Sequence, residues 1–262
     1  MAVCAHDFTF NGKALSSFDT EYLLIDIDET EDSPGISRAF QQSTLTNDNS
    51  VVYFYDAIGS ALLEFDITIC RKDGDNLTPA NSKELSDWLM GQVIPREAYF
   101  TSCQGESAVY DDTRFIGGFT NSTYAQTGSN RRFAMTFHFT NISPFGFTAE
   151  TTYNVPGAIV NSGSVTGEPV YPVITIVPDG TGTVTINNTD DPSVGAFSIE
   201  VTDGTTVIVN DRNLLTSGGQ LYSFENLNTF YWPALVDGEN HIEVTGPAMV
   251  TMTTRFYKNL GA

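Results

Sequence analysis

The chain has 262 residues, enough for one large or two ordinary domains that each bury a core. Apolar residues make up 40% and aromatics 12%, which excludes a disordered chain, and the wealth of Gly, Thr, Ser and Asn favours strands and turns. Thirty-two acids against twelve bases leave a net charge of −20, which excludes a free-standing nucleic-acid binder and argues against docking on an anionic membrane.

The first ten residues lack a basic region followed by an apolar one, so no secretory leader is expected, and no window is apolar enough to span a bilayer. Phe8 and Phe10 alternate with polar neighbours and Asn11-Gly12 is a hairpin signal, so a strand and a turn open the chain. Tyr22 to Ile27 reads as a second strand. Five acids then crowd Asp26 to Asp32; Asp26 and Asp28 share one face and suit a hard cation, but a solvated loop is the simpler reading without an EF-hand glycine. Residues 41 to 50 read as a polar connection. Val51 to Tyr55 and Leu62 to Cys70 read as core strands, the latter alternating Leu63, Phe65, Ile67 and Ile69 against Glu64, Asp66 and Thr68.

One helix is expected near 81–90, capped by Asn81 with Glu84 reaching back. Leu85, Trp88 and Leu89 form its apolar stripe, Trp88 reads as a core anchor, and Gly91 ends it. Strands are predicted at 96–100, at 112–119 and across Arg131 to Phe139, where His138 falls on the face opposite Phe133, Met135, Phe137 and Phe139. Asn161 to Pro169 is rich in Gly and Ser and reads as a linker. Beyond it, 171–177, 182–187, 196–201, 205–209, 239–244 and 248–257 are strand candidates separated by Asp-Gly turns, the spacing of a sandwich. The organisation predicted is therefore 1–160, a linker at 161–170, and 171–262.

Cys4, Cys70 and Cys103 are odd in number and lack CxxC spacing, so free thiols are expected. The sequons at Asn121, Asn141 and Asn187 read as turn chemistry. No nucleophile elbow, P-loop, dinucleotide fingerprint or zincin motif occurs. Asp111-Asp112 and Asp190-Asp191 read as loop carboxylates rather than a glycosidase pair. No catalytic, cofactor-binding or metal-ligating residue is assigned, and no cofactor is expected.

Several short motifs fall in a telling order. They are Phe8-Thr9-Phe10-Asn11-Gly12-Lys13 with Ser17-Phe18, then Asp87-Trp88-Leu89, then Phe137-His138-Phe139 through Ser143-Pro144-Phe145-Gly146-Phe147. Trp232-Pro233-Ala234-Leu235 with Asp237-Gly238-Glu239-Asn240-His241-Ile242 follows, and Arg255-Phe256-Tyr257 closes the series. In this order the chain resembles the distal tail protein (Dit) family of long-tailed phages. The segment 26–50 departs from the family's basic Pro-Gly-Arg stretch, matching it only at Pro34-Gly35 and Arg38.

The resemblance implies a mainly β protein: an N-terminal β-sandwich or split-barrel-like domain with one helix, and a C-terminal galectin-like sandwich. It implies a structural, non-enzymatic role in the virion at the tail tip, after assembly in the host cytoplasm. A hexameric ring would join the tail tube protein to the tail-tip hub and to receptor-binding or baseplate proteins. DNA would pass its channel without specific binding, and an acidic wall, the 26–32 cluster among its candidates, would repel phosphate. No membrane contact is implied. A carbohydrate-binding module using Tyr222, Tyr231 and Trp232 is the alternative, and a cell-wall hydrolase is a third reading with little support.

Overall fold

The computed structural model describes residues 5–25, 40–44, 51–55, 62–103, 110–127, 131–191, 195–210, 213–216, 224–229 and 231–259. Two compact units emerge: Met1–Gly146 with Asn259–Ala262, and Phe147–Lys258.

The first unit contains β1 (Asp7–Phe10), β2 (Lys13–Ala14), β3 (Tyr22–Ile25), β4 (Phe40–Thr44), β5 (Val51–Tyr55), β6 (Glu64–Arg71), α1 (Pro79–Met90), β7 (Arg96–Thr101), β8 (Phe115–Thr127) and β9 (Arg131–Asn141). Seven strands form one sheet in the order β2-β1-β7-β8-β9-β6-β3, and β4 and β5 pair as a separate hairpin. The β1–β2 turn is the expected one, because Asn11 and Gly12 both take positive φ (51° and 75°), as a primed two-residue turn demands. Alternation on β1, β7 and β9 sends Phe8, Phe10, Phe100, Phe137 and Phe139 into one buried layer. Several of the rings meet edge to face, as in Phe10 against Phe119 at 5.2 Å and 80°.

α1 belongs to this layer. Trp88 is buried, packs on Phe18 at 5.0 Å, and donates through Nε1 to the Phe10 carbonyl at 3.2 Å. The helix starts earlier than its predicted cap. Thr78 is the N-cap, accepting from the Asn81 amide at 3.2 Å while Asn81 Oδ1 accepts from the Thr78 amide at 3.1 Å. Pro79, whose φ is already helical, fills the first position and moves the start upstream of Asn81. Glu84 instead accepts from the Tyr22 hydroxyl at 2.9 Å. Burial, and then this hydrogen bond, push the Tyr22 hydroxyl up to about 12.

β8 also differs from its predicted bounds. It begins at Phe115 and runs on to Thr127, so the Asn121 sequon lies within a strand and not in a turn. Part of the expected 41–50 connection is strand β4, while Cys4, the acidic segment 26–32 and residues 45–50 lie outside the described residues.

The second unit includes Phe147 of β10 (Gly146–Phe147), then β11 (Thr151–Val155), β12 (Gly157–Asn161), β13 (Val173–Pro178), β14 (Gly182–Asn188), β15 (Phe197–Val201), β16 (Val207–Asn210), β17 (Asn213–Thr216), β18 (Gly238–Thr245), β19 (Ala248–Thr254) and β20 (Tyr257–Lys258). Two antiparallel sheets, β11-β19-β13-β16-β17 and β12-β18-β14-β15, contribute to one core of Ile, Val and Phe side chains. The chain passes from the first sheet to the second at cis-Pro156.

The expected linker at 161–170 falls inside this unit. β11 and β12 before it pair with β19 and β18. Val165 and Val170 within it are buried, Val170 bridges Leu235, and the Gly167 amide donates to Asp237 at 2.8 Å. Gly and Ser here serve tight turns against a core, which composition alone does not separate from a free linker.

Candidate assembly surfaces

Two of the motif-bearing loops are built around a buried asparagine. Asn141, at the end of β9, accepts from the Ile116 amide at 2.7 Å and donates to the Ser143 and Phe145 carbonyls at 2.9 and 2.7 Å. Its one side chain closes the Ser143-Pro144-Phe145 turn onto β8. Asn240 does the same in the second unit. Its Oδ1 accepts from the Val236 amide and from Asn188 Nδ2, both at 2.8 Å, and its Nδ2 donates to the Val236 and Gly238 carbonyls at 3.0 and 3.1 Å. Both residues are fully buried. Asn188 also donates to the Ala234 carbonyl at 2.9 Å, so it is a structural anchor and not merely the turn residue expected of its sequon. These asparagines hold loops; they converge on no open cleft.

The β8–β9 hairpin extends beyond the strand that flanks β8. β9 pairs with β8 along its length, but β7 reaches only Phe115 to Gly117 on the other side. Among the described residues no second strand pairs with β8 from Gly118 onward. The stretch Thr120-Asn121-Ser122-Thr123-Tyr124-Ala125 holds no charge and no proline, the two devices that normally blunt an edge. On the hairpin's described side chains, Arg132 lies over the Tyr124 ring at 4.4 Å, so its guanidinium covers an aromatic face.

His138 lies on the predicted outer face, with Nδ1 at 2.7 Å from Asp66 and Nε2 at 3.6 Å from Glu64 across the β6–β9 pair. His241 is placed similarly, with Nδ1 at 2.9 Å from Asp190 and Nε2 at 3.8 Å from Glu239. The hydrogen bond to Asp190, then the charges of Asp190 and Glu239, hold the His241 imidazole above its ordinary value. Asp190 is held below the usual carboxylate range by the His241 amide first and its ring second. Asp111, read as a loop carboxylate, accepts from the Cys103 amide at 2.7 Å. Cys70 and Cys103 are both buried, and burial pushes the Cys70 thiol up.

Among the described residues no group of three or more His, Cys, Asp or Glu side chains is arranged to hold a metal ion, and no helix is long and apolar enough to cross a membrane. Of the three aromatics considered for a sugar platform, Tyr222 lies outside the described residues. Tyr231 is half exposed beside Gly195, where an added Cβ would sit 2.8 Å from its ring. Trp232 packs on the second core, tilted against Phe197 at 5.9 Å.

The unpaired edge of β8 was not visible in the sequence. Its only signal there is the uncharged, proline-free run from Gly117 to Gly128, which is equally compatible with a paired central strand.

Comparison with known proteins agrees with this architecture. No curated protein sequence matches the chain. A family model described as a phage tail protein N-terminal domain matches residues 3–143, and one described as a phage tail C-terminal domain matches residues 137–254. Among solved structures, the chain is similar to the Dit protein of phage SPP1, described as a paradigm of the hub adsorption apparatus of phages infecting Gram-positive bacteria. That match has a TM-score of 0.64 at 15% identity and covers 95% of this chain and 98% of that one. It is also similar to a chain of the phage P2 baseplate in its calcium-activated conformation, with a TM-score of 0.53 at 9% identity, covering 97% and 98%. The strontium-activated P2 baseplate gives 0.53 at 10%, covering 95% and 97%. The fold is thus Dit-like and mainly β, and the chain belongs to the phage tail protein family defined by these N-terminal and C-terminal domains.

Proposed function

We propose that this protein is a distal tail protein, a structural component that joins the tail tube to the tail-tip or baseplate apparatus of a long-tailed phage. The open, uncharged edge of β8 carries the reading. A strand edge with unmade hydrogen bonds is a template for a neighbouring chain, and a repeated head-to-tail contact closes into a ring when its rotation allows. The ring is a hexamer of the first unit, and the second unit takes up receptor-binding or baseplate proteins. The protein acts without turnover, in the virion, after assembly in the host cytoplasm.

The charge fits a DNA conduit. Six copies at −20 carry about −120 (6 × −20), and an acidic wall repels the phosphate backbone instead of binding it. The carbohydrate-binding alternative is not favoured, because Trp232 packs on the core rather than standing as a free platform.

Three measurements test this. Gold-labelled antibody against the chain, applied to purified virions, is expected at the tail tip; label on the capsid or along the tube overturns the reading. Light scattering of the purified protein is expected to give six times the 28.6 kDa chain mass. Ser122→Lys with Thr123→Lys, which charges the open edge, is expected to abolish the ring while leaving the melting temperature unchanged. A charged edge that still assembles removes β8 from the interface.

A further inference from the structure

The first unit holds a sheet short of a strand and a strand pair short of a sheet. Among the described residues, β8 has β9 on one side and no strand on the other from Gly118 onward. Among the same residues, β4 and β5 pair with each other, from Phe40 with Tyr55 to Thr44 with Val51, and with no further strand. A two-stranded hairpin alone is marginal in water and needs a third strand or a packed face to persist. Its composition nonetheless suits a larger sheet. Val51-Val52-Tyr53-Phe54-Tyr55 is wholly β-branched or aromatic, and neither β4 nor β5 contains a charge or a proline.

Within one chain this hairpin is not joined to β8. We infer that a second copy joins them: β5 of one copy adds as the next strand on β8 of its neighbour, along Gly118 to Thr127. The inference rests on the proposed ring and names the segment of the next copy that fills the β8 edge. Closure selects this occupant. Two β8 edges pairing with each other would make a twofold dimer and use both of them up, whereas a ring needs two different patches on every chain. β5, with no strand beside it other than β4 among the described residues, supplies the second patch. Charge points the same way. Residues 118–132 carry Arg131 and Arg132 and no acid, a net +2, whereas residues 40–56 carry Asp48 and Asp56 and no base, a net −2. Between two chains of −20 each, these segments attract where most others repel.

Cross-linking in the full chain tests the pairing. Tyr124 is replaced by the photoreactive residue p-benzoylphenylalanine, and protein grown in heavy nitrogen is mixed with unlabelled protein. The expected product joins the peptide of position 124 to one containing residues 51–55, with heavy and light partners mixed. A ring whose cross-links fall on other segments, or stay within one chain, overturns the inference and leaves the ring itself standing. A parent that forms neither an oligomer nor a mixed cross-link overturns both.

Two disabled variants test it independently. Ser122→Lys with Thr123→Lys blocks β8, and Val52→Pro with Tyr53→Pro breaks β5, which lies outside the seven-stranded sheet. Each alone is expected to keep the parent's melting temperature and to sediment as a monomer. Mixed one to one, they are expected to give a dimer of twice the chain mass, because one intact β5 meets one intact β8 and no ring can close. A mixture that stays monomeric overturns the inference, as does a folded β5 variant that assembles like the parent.

Discussion

Asn188 donates through its side-chain amide to Asn240 Oδ1 at 2.8 Å, across 52 residues of chain, inside the core of the second unit. This bond ties the end of β14 to the Trp232–Ile242 motif. It explains why that motif holds an asparagine between two solvent-facing residues, Glu239 and His241.

Replacing Asn240 tests that account. Asn240→Ala removes the acceptor of the Val236 amide, one of the two acceptors of the Asn188 side-chain amide, and a donor to the Val236 and Gly238 carbonyls, and a buried polar group left unpaired costs about 1–3 kcal/mol. A loss of about 3 kcal/mol or more in urea unfolding of the second unit is expected. A loss under about 1 kcal/mol would show that water or rearrangement satisfies these groups as well as Asn240 does.

Gly117 tests the root of the hairpin. A Cβ there would fall on the Thr140 carbonyl oxygen and 2.8 Å from Phe139 Cζ, so β8 and β9 would have to separate. Gly117→Ala is expected to cost about 1–3 kcal/mol, as overpacking does. The nearby Gly118→Ala is the control, because open space surrounds that position. Equal melting temperatures for the two variants would refute the close approach.

The helix start provides a smaller effect. Thr78→Ala removes the hydroxyl that accepts from the Asn81 amide, and Asn81→Ala removes the reciprocal bond. Each is expected to cost about 1 kcal/mol, and the double variant less than the sum, because the two side chains form one box. Strict additivity in thermal unfolding would argue against the reciprocal box.

Acid–base behaviour provides the fourth prediction. His241 is raised by Asp190, so its contribution to stability is fully present below the ordinary histidine value and is lost as pH rises through the higher folded one. Asp190 is lowered, so its contribution is present above the ordinary carboxylate value and is lost as pH falls through the lower folded one. The pair is strongest between those limits. NMR titration of the His241 ring is expected to show a midpoint above the ordinary histidine value, and Asp190→Asn is expected to bring it down. A midpoint unchanged by Asp190→Asn would mean that the contact is not made in solution.

Much of the fold is legible in the chain itself, because the information is local. A period of two sends Phe8, Phe10, Phe137 and Phe139 inward wherever the strands end up, and Asn11-Gly12 makes its turn from its own φ preferences. The Leu85-Trp88-Leu89 stripe likewise buries one helix face whatever lies beneath it. The helix cap was misplaced because Thr78, Asn81 and Ser82 are all competent N-caps, and Pro79 decides among them.

What the sequence by itself determined was therefore the β-rich class, the helix anchored by Trp88 and the absence of familiar catalytic motifs. Tertiary structure alone decided that 161–170 belongs to the second unit and that, among the described residues, β8 outruns β7 and has no second strand beside it from Gly118 onward. Which strand lies beside which depends on register between segments far apart in the chain, and no local preference encodes that choice.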